Sequence, residues 1–107
     1  MKNAYLRFLR LLEAADAPSV DLTAQKLLEV FALKHHEGKP LTVTEAMELS
    51  AIASPATIHR KITDLLDAEL ISLEHQGANR RTKYIHPTKK ADQQFVKLAK
   101  FMSLANN

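Results

Sequence analysis

The 107-residue chain has no cysteine, only two glycines and only four prolines. Without cysteine, disulfide bonds, thiolate metal sites and thiol nucleophiles are excluded, and the composition is compatible with a reducing compartment. Glycine and proline are the residues that most often interrupt regular secondary structure, and alanine and leucine dominate in their place. The composition therefore predicts a mostly helical protein.

The chain also lacks a long apolar run at its N-terminus. Charged residues recur every few positions from Met1 to Arg7, a pattern that neither a signal peptide nor a membrane span shows. With 46% hydrophobic and 25% charged residues, the sequence is typical of a soluble globular protein. We expect a single cytoplasmic domain over residues 1–107, with no membrane contact.

Basic residues exceed acidic ones only slightly, for a net charge of +3, but their distribution is uneven. Residues 1–53 contain six Lys or Arg against seven Asp or Glu, whereas residues 54–107 contain nine against five. The positive second half suits a polyanionic partner, and it is also compatible with a solubility role.

One helix in this basic half has a clear start and two different faces. Ser54 is a favourable N-cap, and Pro55 suits the first helical position because it has no N–H to lose there. One face is apolar and committed to a core: Ile58, Ile62, Leu65 and Leu66. The opposite face is polar and becomes cationic: Ala56, Thr57, His59, Arg60 and Lys61. Alone, this face fits either a solvated surface or nucleic-acid recognition.

A short helix precedes it. Thr42 and Glu45 have the spacing of a capping box, which predicts a helix that continues to about Ala51. Only two residues then separate this helix from the Ser54 cap, which is a helix-turn-helix pattern. Further upstream, an apolar stripe predicts a helix over 2–16, followed by a break at Ala17-Pro18-Ser19. A second helix is predicted to begin at a Thr23 cap and to end at Gly38.

After the presented helix, apolar and polar residues alternate over 71–75 and 82–86, which predicts a β-hairpin. Its predicted tip, residues 76–81, contains Arg80 and Arg81. Because an isolated hairpin is marginally stable in water, we expect it to pack beside the presented helix. A cationic tip next to a polar helix face is the arrangement that grips DNA, with the helix in the major groove and arginine in the minor groove. A last helix, over 89–105, is predicted to follow a Thr88 cap.

These elements, in this order, resemble the MarR-type winged helix-turn-helix transcription regulators. The likeness covers about residues 21–91 and is carried by Asp21-Leu22-Thr23, Leu41-Thr42-Val43-Thr44-Glu45, Ser54 to Ile62, Leu70-Ile71 and Arg81. It implies a mainly α fold with a small β-hairpin, a winged helix-turn-helix with N- and C-terminal flanking helices. The implied division is a DNA-binding core over 21–87, a recognition helix over 54–68, a wing over 74–83, and dimerisation helices over 1–17 and 88–107.

Three places depart from the family pattern. Glu69 stands where a glycine usually ends the recognition helix, so the turn is made differently or under strain. Asn79 replaces the aspartate that usually steadies the wing arginine. Pro87 and Ala91 replace a leucine and a glycine around Thr88.

The polar face, the wing and the resemblance together predict one set of DNA contacts. We expect base contacts from Thr57, His59 and Arg60, and a phosphate contact from Lys61. The full predicted DNA-binding set is Thr44, Ser54, Pro55, Ala56, Thr57, His59, Arg60, Lys61, Asn79, Arg80, Arg81 and Lys83.

The resemblance also implies a homodimer on a pseudo-palindromic operator, with half-sites about 34 Å apart. The two terminal helices carry apolar stripes that either complete a monomeric core or form the dimer interface, and we expect the dimer. The expected interface residues are Tyr5, Phe8, Leu9, Leu12, Phe95, Leu98 and Met102. The chain is shorter than the usual member, which argues against a small-molecule effector pocket.

Two rival functions follow from the same residues. An enzyme is not expected, because no histidine lies beside a nucleophile or a glycine-rich loop. Metal and cofactor sites are not expected either, since the adjacent His35 and His36 point about 100° apart on a helix and have no matching ligand pair. A pH-sensitive contact between His75 and His86 across the hairpin is a hypothesis. The alternative function is a winged-helix protein-interaction module that does not bind DNA.

Overall fold

The computed structural model describes residues 2–14 and 20–106, and at 12–14 and 106 it describes the backbone alone. The elements are α1 (Lys2–Ala14), α2 (Leu22–His36), α3 (Val43–Ala46), α4 (Pro55–Asp67), β1 (Ile71–Gln76), β2 (Asn79–Pro87) and α5 (Lys89–Asn106). This order confirms the predicted fold, mostly helical with one antiparallel hairpin. The predicted end of the first helix and the break at 17–19 lie outside the described residues.

Helix α2 begins two residues earlier than predicted. Asp21, not Thr23, is its N-cap, and the Asp21 carboxylate accepts a hydrogen bond from the Ala24 backbone N–H at 2.8 Å. Asp is at least as good a cap as Thr, so the earlier residue starts the helix. At the other end, Gly38 adopts φ 78° as predicted. The Gly38 and Lys39 amides bond back to α2 carbonyls at 3.0 and 2.9 Å, which ends the helix in a Schellman motif.

Helix α3 has the predicted start and an earlier end. The capping box is confirmed, with Thr42 N–H donating to the Glu45 carboxylate at 3.0 Å and Glu45 N–H donating to the Thr42 hydroxyl at 3.1 Å. The helix ends at Ala46 rather than near Ala51. Turns follow, among them a hydrogen bond from Ile52 N–H to the Leu49 carbonyl at 2.9 Å, so the connection to α4 is longer than predicted.

Helix α4 begins as predicted, with Ser54 as its N-cap and Pro55 at its first position. It also ends in a Schellman motif: Glu69 N–H donates to the Leu66 carbonyl and Leu70 N–H to the Leu65 carbonyl, each at 3.0 Å. Glu69 adopts the left-handed conformation, with φ 61°. The turn therefore has the glycine-type geometry without a glycine, so of the two predicted alternatives, a different turn or a strained one, the structure has the strained turn.

The hairpin register corrects two predictions. Gln76 pairs with Asn79 across a turn at Gly77 and Ala78, and the register shifts between His75 and Gln76. Arg80 and Arg81 therefore lie within β2, beside the irregularity, and not at the tip of the turn. The hypothesis that two histidines face each other is wrong: His75 pairs with Lys83, whereas His86 pairs with Ser72. The short turn and the register shift set this pairing, and sequence alternation does not reveal either.

One core joins α2, α3, α4, the hairpin and the start of α5. Its large buried side chains are Leu27, Leu28, Phe31, Ile58, Ile62, Leu65, Leu70, Ile71 and Ile85. Leu41 connects the hairpin to this core, because its carbonyl accepts a hydrogen bond from Ile85 N–H at 2.7 Å. Every large apolar position of the α4 core face that was predicted is buried or half-buried, which leaves the opposite face to solvent.

Helices α1 and α5 pack against each other, and we call α1 with residues 96–106 of α5 the arm. None of the described α1 side chains belongs to the core, which takes Ala91 and Phe95 from the first half of α5. The molecule is accordingly elongated, with extents of 47 × 29 × 24 Å. Among the described residues, no helix combines the length and the apolar character that crossing a membrane requires.

Candidate nucleic-acid interface

The N-terminal part of α4 carries a chain of hydrogen bonds on its exposed face. The Ser54 hydroxyl accepts from Thr57 N–H at 3.3 Å and donates to the Thr57 hydroxyl at 3.0 Å. Thr57 Oγ1 also accepts from Arg60 Nη2 at 3.3 Å. The guanidinium of Arg60 is thus oriented by the cap of its own helix. Pro55, Ala56 and His59 are also exposed on this part of the helix.

This end of α4 is electrostatically suited to an anion. The first turn of a helix presents unpaired backbone N–H groups and the positive end of the helix dipole. α4 has no acidic residue in its first turn to neutralise that field. Arg60, one turn further along, adds a positive charge to the same exposed end of α4.

Lys61 has a different environment from its neighbours. Its side chain is 23% exposed, and its ammonium forms an ion pair with the Asp21 carboxylate at the start of α2. A second carboxylate, of Asp64, lies 3.8 Å from the same nitrogen. The hydrogen bond from Lys61 is the main cause that lowers the pKa of Asp21, followed by the one from Ala24 N–H. A phosphate contact by Lys61 therefore requires its ammonium to exchange Asp21 for the phosphate.

The wing contains cations that have no partner within the described part of the chain. Arg80, Arg81 and Lys83 are exposed, and none of the three makes a side-chain hydrogen bond or ion pair with the described residues. Asn79 bonds to the backbone of this segment, its side-chain oxygen accepting from Arg81 N–H at 3.0 Å. Asn79 thus orders the arginine segment through its backbone.

Thr44 lies on the other helix of the helix-turn-helix. It is exposed in α3, one residue before the Glu45 of the capping box.

Hydrogen bonds among the described residues group the predicted site residues in two units. Ser54, Thr57 and Arg60 form one unit, and Asn79 and Arg81 form the other. Lys61 belongs to neither, because its hydrogen bond is to Asp21 at the start of α2. Asp21 was missed as a partner of Lys61. The Asp cap was readable from the sequence, but its contact 40 residues away depends on how α2 packs on α4.

A histidine cluster lies at the base of the hairpin. His86 Nδ1 is 3.3 Å from the Glu74 carboxylate, and the rings of His86 and His35 have centroids 4.6 Å apart. Among the described residues, no three His, Asp or Glu side chains are placed to hold a metal ion. Beside the cluster, a cavity of about 550 Å³ opens between α2 and α5, and its lining includes His35, Leu33 and Phe95. The predicted lack of an effector pocket therefore stays a prediction.

No protein-family model and no curated protein matches the sequence. Solved structures do match. A protein of unknown function from Listeria innocua is 22% identical, with a TM-score of 0.62 over 97% of this chain and 66% of its own. RV1404 from Mycobacterium tuberculosis is 14% identical, with a TM-score of 0.64 over 96% of this chain and 63% of its own. AbfR in a disulfide-formed state is 17% identical, with a TM-score of 0.54 over 97% and 64%.

These matches show that the α3–turn–α4 unit and the hairpin are parts of one known architecture. The chain has a winged helix-turn-helix fold. It spans about two thirds of the length of these three proteins. At identities below 25%, the shared property is the winged-helix fold, in which α3 and α4 form the helix-turn-helix and the hairpin is the wing.

Proposed function

We propose that this winged-helix protein is a sequence-specific, MarR-type DNA-binding regulator of transcription that acts as a homodimer. The observation that carries the proposal is the hydrogen-bonded unit of Ser54, Thr57 and Arg60 at the exposed positive end of α4. A solvated surface helix needs no such ordering of an arginine, whereas base recognition benefits from a guanidinium that is already oriented.

The recognition helix enters the major groove with its N-terminal half. Arg60 is suited to the O6 and N7 acceptors of guanine, and Thr57 and His59 flank it with smaller polar groups. Ala56 has only a methyl group, so it allows close approach and fits a thymine methyl. Ser54 and Pro55 lie at the positive helix end, where a phosphate is favoured.

The wing supplies affinity more than sequence preference. The unpaired guanidinium groups of Arg80 and Arg81 suit the negative potential of a narrow minor groove, and Lys83 suits a phosphate. Asn79 keeps this segment in place through the backbone of Arg81. We assign Thr44, which is exposed on α3, a contact with the DNA backbone beside the recognition helix.

The arm carries the proposed dimer interface. Tyr5 is 62%, Leu9 40% and Met102 52% exposed, although all three are large apolar residues. Leu6, Val96 and Leu104 are further exposed large apolar residues of the arm. Phe8, Phe95 and Leu98 are half-buried, and the side chain of Leu12 lies outside the described residues. An apolar surface concentrated on one protruding element fits a second copy of the chain better than solvent.

Selection from a random pool of duplex DNA tests this function. We expect an enriched palindrome whose half-sites are about 10 base pairs apart, and an affinity that falls steeply as salt concentration rises. The double variant Arg80→Gln/Arg81→Gln should flatten that salt dependence. Its matched control, Lys26→Gln/Lys97→Gln, removes the same charge from α2 and α5 and should leave the dependence nearly unchanged. Binding that is absent, or that ignores salt, would support the protein-interaction alternative.

A further inference from the structure

The C-terminal end of the recognition helix lacks the cation that its dipole favours. Its last turn contains no basic residue, and Asp64, Asp67 and Glu69 place carboxylates around the negative end of the dipole. Negative charges at the negative end of the dipole destabilise a helix. Glu69 adds a left-handed backbone conformation, which residues other than glycine, asparagine and aspartate rarely adopt. The end of α4 therefore needs stabilisation from outside the helix.

The start of α5 provides it. The Lys90 ammonium donates to the Ala68 carbonyl at 2.7 Å, and the Thr88 hydroxyl donates to the Glu69 carbonyl at 2.7 Å. The Thr88 backbone N–H donates to the Leu70 carbonyl at 3.1 Å. Three consecutive carbonyls after α4 are thus each held by a donor from residues 88–90. We call this set of three hydrogen bonds the α5 clamp.

The clamp also marks where the two functional parts of the molecule meet. The same Thr88 hydroxyl accepts from Ala91 N–H at 3.2 Å, so one side chain both starts α5 and holds the end of α4. α5 continues into the arm, which carries the proposed dimer interface. Whatever fixes the angle between α4 and α5 therefore fixes how each recognition helix is held relative to the dimer axis.

We propose that Lys90 and Thr88 are positioning residues that set the angle of the recognition helix against α5, and thereby the half-site spacing that the dimer accepts. This inference rests on the proposed function. The 13 residues of α4 extend about 20 Å from the clamp to Ser54. A tilt of about 10° at the clamp moves the base-contacting end by about 3.4 Å, the rise of roughly one base pair.

The test compares Lys90→Met with Lys89→Met, which removes the same charge one position earlier. Lys89 is exposed and makes no side-chain hydrogen bond or ion pair with the described residues. Amide hydrogen exchange at Thr88 reports the clamp without DNA. We expect Lys90→Met to speed that exchange about fivefold, Lys89→Met to leave it within about twofold of wild type, and Lys90→Arg to restore it.

A series of duplexes then reports the consequence for binding. Their two half-sites, taken from the selected palindrome, are spaced from about 9 to about 12 base pairs apart. The wild type should prefer one spacing by about tenfold over its neighbours, and Lys90→Met should reduce this preference to about threefold or less. Lys89→Met should weaken binding equally at every spacing, and Lys90→Arg should retain the wild-type preference.

Two results would overturn the inference. One is unchanged exchange at Thr88 in Lys90→Met; the other is an unchanged ratio of affinities across the spacing series despite faster exchange. Failure of the wild type to bind any duplex has a different meaning. It refutes the proposed function and with it the role in spacing, whereas the exchange measurement still decides whether Lys90 holds the end of α4.

Discussion

Among the described residues, Glu69 is the exposed non-glycine residue with a positive φ, so the conformational strain lies there. The other two residues with positive φ are glycines, Gly38 and Gly77, which adopt that region without a steric penalty. At Glu69 the Cβ group meets that penalty, and the Schellman hydrogen bonds of α4 hold the residue there. Because the strain lies in the backbone of one residue, a substitution at that residue should relieve it.

Replacing Glu69 by Gly should stabilise the protein. Removal of the left-handed penalty should raise the free energy of unfolding by about 1 kcal/mol, which corresponds to a rise in melting temperature of about 4–8 °C. Chemical denaturation and thermal melting both measure it. The matched control is Ala68→Gly, at a position with φ −78°, which should lower the stability instead. A less stable Glu69→Gly variant would show that the glutamate side chain contributes something its backbone conformation does not reveal.

Asp21 predicts a pH dependence at the residue scale. Its pKa in the folded protein is lowered, first by the hydrogen bond from Lys61 and then by that from Ala24 N–H. Because the folded pKa lies below the unfolded one, the stabilisation is complete above about pH 5 and is lost as the pH falls through the folded value. Asp21→Asn, which can still cap α2, should make the acid limb of stability against pH shallower.

Lys61→Met serves as the reciprocal variant for that measurement. It removes the largest cause of the lowered pKa while the Asp21 carboxylate and the Ala24 hydrogen bond stay in place. Urea denaturation at a series of pH values should therefore show a slope between that of wild type and that of Asp21→Asn. An acid limb as steep as the wild type's in both variants would contradict the assignment.

At the scale of elements, the proposed function assigns different parts of DNA binding to α4 and to the wing. Arg81→Ala should weaken binding to all sequences similarly and reduce the salt slope by about one, because it removes one contact with the DNA backbone or minor groove. Thr57→Val and His59→Ala should change the preferred base at one position, by about 1–3 kcal/mol of discrimination. Repeating the pool selection with each variant separates the two effects, and identical behaviour of all three would contradict the division.

The elements also show where sequence patterns succeed. The Ser54 cap, the Thr42–Glu45 capping box, the Gly38 stop and the Thr88 cap depend on residues within four positions of each other, and all four are confirmed. The register of the hairpin is not local in this sense. It depends on a two-residue turn and a shift at Gln76, so alternation predicted the strands but misplaced Arg80 and Arg81 at the tip.

At the scale of the whole molecule, the arm predicts an oligomeric state. Leu9→Glu places a charge in the centre of the proposed interface, where burial of an unpaired carboxylate is costly, so the dimer should dissociate to monomers. Leu22→Glu is the matched control: Leu22 is 89% exposed at the start of α2, outside the arm. Sedimentation equilibrium over a concentration series measures both. A wild type that stays monomeric throughout would mean that the terminal helices complete a monomer, and Leu9→Glu would then change nothing.

The sequence by itself determined the element order, the N-caps Thr42, Ser54 and Thr88, the core face of α4 and the positive charge of the second half. These follow from the spacing of side chains along one chain and from hydrogen bonds that close over a single turn. The tertiary structure alone decided that Lys61 faces Asp21, that His86 meets Glu74 and His35, and that Lys90 and Thr88 hold the end of α4. Except for the hairpin pair His86 and Glu74, these contacts join parts of the chain that belong to different elements, and their geometry exists only once the core has packed.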